Sequence, residues 1–235
     1  MTLNLEAQTI PSQDIGITTE VSHRFPGETW VEASWSDFLQ ATEQSDYSKG
    51  KFYYYQSHLR IEMPPIGNDH ASDHSIIISA LHLYACLQDI PLNLKDNCSY
   101  RKPGYQEAQP DISGYLGENT NAIPYGTGVV NLEEFPAPSL VVEIANTSLV
   151  DDQEIKRLLY EELGIQEYWI VNVKTGNILA FRMENQGSYR IQESQILPNL
   201  KLSILEEALR MTRNQSHSHV MKWLMNTLNP LNPSV

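Results

Sequence analysis

Cysteine is nearly absent from this chain of 235 residues. Only Cys86 and Cys98 occur, with no CxxC spacing, so neither a zinc ribbon nor a disulfide framework is suggested. Cys86 lies in the helical apolar pattern SALHLYACL and reads as a core thiol rather than a nucleophile. No apolar run approaches the roughly 20 residues that span a bilayer. The opening MTLNLEAQTIPSQD has neither a basic n-region nor an apolar h-region, so nothing looks like a signal peptide and a cytoplasmic setting is expected. Positive charge is also scarce. The 16 Lys and Arg face 29 Asp and Glu, for a net charge of −13, and the adjacent basic pairs are Arg101–Lys102 and Lys156–Arg157. This counts against tight non-specific binding of nucleic acid, whose footprint is a basic patch. It does not exclude phosphodiester chemistry, because metal ions offset part of the charge at a site. P-loop, GxGxxG, GxSxG and kinase signatures are missing, and there is no internal repeat.

What is present is an ordinary soluble composition, 41% apolar with 13 Pro and 12 Gly, long enough for one sizeable core. Residues 1–28 are polar and broken by Pro11, Pro26 and Gly27, which predicts a loosely docked extension. Thr29–Thr42 reads as a short helix entered at Ser34 or Ser36. Phe52–Met63 reads as a strand pair around Gln56–Ser57. A long helix capped by Asp69 or a neighbour runs to about Gln88, with Ile77, Ala80, Leu81, Tyr84 and Leu87 as its stripe. Short strands are predicted at Asn97–Tyr105, Asp111–Tyr115 and Val129–Leu132. Ser139–Ala145 is apolar on both faces and belongs in the middle of a helix-covered sheet. Ser148 with Asp151 forms a capping-box pattern, and Gly164 supplies the left-handed stop of the next helix. Glu167–Val173 and Ile178–Met183 form a hairpin, and helices at Leu205–Met211 and His219–Leu228 end the pattern. The fold class is α/β (α+β), and residues 214–235 are read as a C-terminal helix and tail.

Glu143 is the residue that most needs explaining, because glutamate is almost never buried without a partner. Its structural reading is an ion pair or an edge position; its functional reading is a ligand to a hard divalent cation. Asp111, after Pro110, is by itself a turn residue, but in a strand beside Glu143 it supplies a second carboxylate. Lys156 lies in line with Leu159, Tyr160 and Leu163, on the inward stripe of its helix. It is either a snorkelling side chain or an ammonium that stabilises charge at a phosphate. Together the three make a metal-dependent phosphodiesterase centre. His70 and His74, four apart in DHASDH, could share a metal, but the glutamate of HExxH is missing, so capping and surface roles are the default. Glu62 is a further carboxylate candidate. Tyr168 and Trp169 read as core.

With Pro110–Asp111, Val142–Glu143, Lys156, Tyr160 and Gly164…Glu167–Tyr168–Trp169 placed, the chain resembles the Uma2 family of restriction-endonuclease-like proteins, abundant in cyanobacteria. The likeness runs from about Thr29 to Met183 and includes MPPIGNDH at Met63–His70. It implies the PD-(D/E)xK nuclease fold, a central mixed sheet flanked by helices, over residues 29–213. It also implies Asp111 and Glu143 as ligands of Mg²⁺ (or Mn²⁺), with DNA as substrate. The parent lysine position is occupied here by Ala145, and the resemblance makes Lys156 its substitute, so Asp111, Glu143 and Lys156 form the implied catalytic set. His70 matches the family's helix-start histidine, and Asn146–Ser148 departs from the commoner Ser-Pro-Ser. A homodimer is plausible for duplex cleavage. Two other readings are a catalytically silent protein of the same fold that binds a partner, and a phosphoesterase acting on small or RNA substrates.

Overall fold

The computed structural model describes residues 25–146 and 148–229. Most of the predicted N-terminal extension lies outside the described residues. The described part contains twelve strands and six helices. In chain order these are β1 (Val31–Glu32), α1 (Trp35–Glu43), β2 (Lys51–Tyr55), β3 (His58–Glu62), α2 (Asn68–Leu87), β4 (Leu92–Asp96), β5 (Tyr100–Lys102), β6 (Gln106–Ala108) and β7 (Ile112–Leu116). They continue with β8 (Val130–Asn131), β9 (Leu140–Ala145), α3 (Leu149–Gln153), α4 (Ile155–Glu162), β10 (Glu167–Asn172), β11 (Asn177–Glu184), β12 (Gly187–Ile191), α5 (Leu202–Met211) and α6 (His217–Leu228).

Two mixed six-stranded sheets result. One runs β1-β3-β2-β6-β5-β8 and the other β12-β11-β10-β9-β7-β4. In the second, β9 is parallel to β10 and antiparallel to β7. Every residue of β9 is buried, as its two-sided apolar pattern requires of a central strand. Leu140, Val142 and Ile144 point into a core built with α2, α5 and α6, which includes Val220 and Leu224 of the last helix. Val141 and Ala145 point the opposite way, into a cluster with Leu159, Tyr160 and Leu163 of α4 and Tyr53 and Tyr55 of β2. The first sheet and α4 thus cover the face of β9 that carries Glu143. None of the helices is long and apolar enough to cross a membrane, among the described residues.

Local chemistry explains most boundaries. Gln56 and Ser57 both take positive φ (45° and 60°), the geometry of a two-residue hairpin turn that follows strand twist. Ser34 caps α1 in a full capping box with Asp37. Gly164, at φ 82°, ends the chain's turn out of α4. Tyr168 and Trp169 are fully buried, as the apolar pattern of β10 indicates.

Several expectations are corrected. Cys86 is exposed, because it falls beside rather than on the buried stripe of α2. Asp69 does not cap α2; Gly67 takes the cap position with no side-chain bond, and Asp69 sits in the first turn. The Ser148 hydroxyl donates to Asp152 Oδ2 at 2.7 Å instead of capping backbone. The helix after β9 is two pieces, since Glu154 leaves helical geometry at φ −106°, ψ −88°. Pairing of Asp151 with Arg60 at 2.8 Å anchors α3 to β3 separately from α4. The edge strands β4 and β12 carry too few apolar residues to signal themselves. Asn97, at φ 52°, delays β5 to Tyr100.

The α2–α6 side depends on a buried charge. Asp73 is fully buried and accepts from Arg213 Nη2 at 2.7 Å, while the same nitrogen donates to the Val173 carbonyl at 2.9 Å. Arg213→Met leaves that carboxylate unpaired. We expect it to lower unfolding free energy by about 2–3 kcal/mol in urea titration, the low side of the usual cost because the arginine is 35% exposed. A shift of the midpoint below that of a surface substitution would contradict this role.

Candidate active site

The register of β7 and β9 pairs Ile112 with Val142 and Ser113 with Val141. One residue earlier, Asp111 therefore arrives opposite Glu143. Both are nearly inaccessible, at 3% and 2% exposure. They are tied through backbone: the Ile144 amide donates to Asp111 Oδ2 at 2.7 Å, and the Asp111 amide approaches Glu143 Oε2 at 3.4 Å. Each carboxylate is thus oriented by the strand that carries the other.

Asp111 Oδ1 pairs with the Lys51 ammonium, and Oδ2 lies 3.3 Å from His70 Nε2. Burial works against its charge, yet His70 and Lys51 outweigh burial and hold the carboxyl well below the usual range. Glu143 behaves oppositely. Burial comes first, opposed by Lys156, and Asp111 and Asp152 add repulsion; the result is a carboxyl pushed up to about 8. Tyr160 donates to its Oε1 at 2.6 Å, and the Tyr53 hydroxyl, which donates to the Gln109 carbonyl at 2.8 Å, stands 3.3 Å from the same oxygen.

Lys156 reaches this cluster from α4 but is only 1% exposed. Its Nζ lies 2.8 Å from Glu62 Oε1, 3.0 Å from Asp152 Oδ1 and 3.7 Å from Glu143 Oε1, and 4.1 Å from the centre of the Tyr53 ring. These anions outweigh desolvation and hold its pKa well above that of an ordinary lysine. Ala145, two residues after Glu143, packs in the apolar cluster that seats α4, and Lys156 comes to Glu143 from the same face.

A cleft of about 240 Å³ opens over these groups, lined by Asp111, Glu143, Lys156, Glu62, His70 and Lys51, with exposed Lys49 at its rim. The structure therefore brings Asp111, Glu143, Lys156, Glu62 and His70 together, and places His74 one helical turn further along α2. Sequence reasoning missed Lys51, Tyr53 and Asp152. A signal existed for two of them: Lys51, Tyr53 and Tyr55 alternate along β2 and so share one face.

The donor set suits a hard divalent cation. Two carboxylates share one end of adjacent strands; burial first, and repulsion from Asp111 after it, raise Glu143, whose charge a cation would stabilise. Both carboxylates line the cleft, and a carboxylate oxygen can accept more than one partner.

The family model for Uma2, described as "Putative restriction endonuclease", matches residues 35–220. The chain belongs to the Uma2 family. A solved structure described as "a putative nuclease belonging to DUF820 from Anabaena variabilis ATCC 29413" aligns with a TM-score of 0.50 at 16% identity. The alignment covers 81% of this chain and 98% of that one, and such a likeness concerns the fold alone. No curated protein matches the chain. The Uma2 match spans every element that carries the cleft, from β2 through α4.

Proposed function

We propose that this protein is a divalent-metal-dependent endonuclease that hydrolyses DNA phosphodiester bonds. The observation that carries the reading is the interlocked pair Asp111 and Glu143, buried side by side at the floor of a cleft with lysines at its wall. In this reading the two carboxylates hold Mg²⁺ (or Mn²⁺). When bound, that ion supplies Lewis-acid polarisation of a phosphoryl oxygen and lowers the pKa of water.

The chain's own residues divide the remaining work. Tyr160 and Tyr53 fix the Glu143 carboxylate, and Lys156 offsets its charge. Lys156, the lysine first expected to act on the phosphate, is enclosed by Glu62 and Asp152 and serves to position Glu143. Lys51, 15% exposed and already paired with Asp111, has the freedom to meet a phosphate oxygen and stabilise transition-state charge. Exposed Lys49 extends that positive rim toward the backbone of the substrate. Two copies are needed to cut both strands of a duplex at one place, which makes a homodimer part of the proposal.

The acidic balance of the chain favours a second reading, a catalytically silent member of the same fold that binds a partner. Incubation of the purified protein with supercoiled plasmid, single-stranded DNA and RNA in Mg²⁺ or Mn²⁺ separates the two. Nicking or linearisation of DNA that stops on adding EDTA is the expected result. A folded, metal-binding protein that cuts none of the three substrates sinks the nuclease reading and leaves the silent one. Lys51→Met is expected to lower kcat by about 10²-fold and to lower the melting temperature as well, because it leaves the buried Asp111 carboxylate without its ammonium partner. An unchanged kcat would remove Lys51 from contact with the phosphate.

A further inference from the structure

The histidines on the first turns of α2 face the end of β7. His70 Nε2 lies 3.3 Å from Asp111 Oδ2, and one nitrogen of each of His70 and His74 and one oxygen of Asp111 lie within 4.8 Å of one another. The spacing of four residues is what brings two side chains onto one helical face. Both rings are largely covered; His70 turns Nε2 toward Asp111, and His74 Nε2 is buried with no hydrogen-bond partner among the described residues. A buried polar atom without a partner is costly and calls for a missing one.

The frame around these groups is rigid. Asp73, between the two histidines, ties α2 to Arg213, and the Ile144 amide holds Asp111 Oδ2 in place. Asp96 Oδ1 stands 3.5 Å from the same His74 Nε2, so a further carboxylate borders the site.

Two imidazoles and one carboxylate form a mixed nitrogen and oxygen donor set. Mg²⁺ disfavours such a set, whereas borderline ions of the zinc class favour it. The His70–Asp111 separation of 3.3 Å is that of two donors on one tetrahedral ion with bonds of about 2.0–2.1 Å. The widest pair must close by on the order of 1 Å, which rotation about histidine side-chain torsions supplies without moving the helix.

We propose that His70, His74 and Asp111 form a binding site for one borderline divalent transition-metal ion, zinc in class, beside the carboxylate pair and sharing Asp111 with it. The site does not depend on whether the protein cuts DNA.

The test uses the full chain and a spectroscopic probe. Co²⁺ is titrated while its visible d–d bands are followed, and is then displaced with Zn²⁺. Wild type, His74→Ala, His74→Gln and Glu143→Gln are compared, with circular dichroism verifying the fold of each. One Co²⁺ per chain with the strong visible bands of a tetrahedral nitrogen-bearing site, displaced by Zn²⁺, is expected for wild type and Glu143→Gln. Both His74 variants should lose affinity by more than the roughly 10–100-fold that loss of an outer-shell partner costs. Absence of bands in wild type, or equal affinity in a folded His74 variant, overturns the site. Loss of binding in Glu143→Gln with retention in the His74 variants also overturns it, by moving the ion to the carboxylate pair. The readout is spectral, so a protein that cuts no DNA leaves this inference intact, and a protein that cuts DNA without binding Co²⁺ refutes only this one.

Discussion

Glu143→Gln is expected to abolish DNA cleavage while leaving the protein as stable as wild type or more so. The substitution keeps the side-chain volume and an oxygen to accept from Tyr160, whose hydroxyl lies 2.6 Å from Oε1. Burial already pushes the Glu143 carboxyl up to about 8, so near neutral pH the folded chain favours its protonated form and the charged form is strained. An amide removes that strain, and with it the charge a divalent ion needs. The predicted loss in kcat is on the order of 10²–10³-fold or more, the scale on which removal of a charge-stabilising group acts. Asp111→Asn should lose activity to the same extent, but its folded state should weaken. Its carboxyl is held low by His70 and Lys51, which means the charged form is the one the fold stabilises. The contrast is the informative part. Plasmid nicking assays with urea titrations on both variants check it. Full activity in Glu143→Gln would exclude this carboxylate as a metal ligand.

The second large effect concerns Lys156, and it is an effect on stability. A lysine 1% exposed among Glu62, Asp152 and Glu143 neutralises charge that Arg60 meets at Glu62 alone. Lys156→Met replaces it with a side chain of similar length that fills the volume and carries no charge. The carboxylates left behind are buried, and breaking such a set from one side typically costs about 3–5 kcal/mol. Unfolding free energy should fall by that amount. Adding Asp152→Asn should recover part of it, because the double variant carries one fewer uncompensated charge. Surface charge arguments give the opposite expectation, a change under about 1 kcal/mol. A melting curve of Lys156→Met within that smaller range would show that the contacts with Glu62 and Asp152 do not hold α4 in place. Activity measured in Lys156→Met alone mixes folding with chemistry, and the same holds in smaller degree for Lys51→Met, 15% exposed, so each is read together with its unfolding free energy.

How far the sequence reached can be judged from particular residues. Glu143 was conspicuous because an ionisable group interrupts an otherwise apolar strand, and that is a violation of burial rules visible without coordinates. Lys156 was placed on the inward stripe by helical spacing alone, and it is inward. The turn at Gln56–Ser57, the stop at Gly164 and the buried Tyr168 and Trp169 were each written in local chemistry. The capping expectation at Ser148 failed because a tertiary partner, Asp152, took the hydroxyl that the local pattern assigned to backbone. Cys86 failed for a related reason: a short apolar run does not say which of its residues the helix turns outward.

By itself the sequence determined which residues prefer strand or helix, and which face of each element is apolar. It also determined that Glu143 is anomalous enough to need a partner, with Asp111 a candidate only beside it. Only the tertiary structure decided which partners they have. Lys51 stands 60 positions from Asp111 in the chain and Tyr53 stands 90 from Glu143, yet both meet them across the cleft. The packing of the first sheet, which brings β2 over β9 of the second, and the break at Glu154, which sets α3 apart from α4, belong to the same class. The physical reason is that periodicity encodes direction relative to one element's axis. Adjacency between distant elements is settled by how their buried faces and charges satisfy one another.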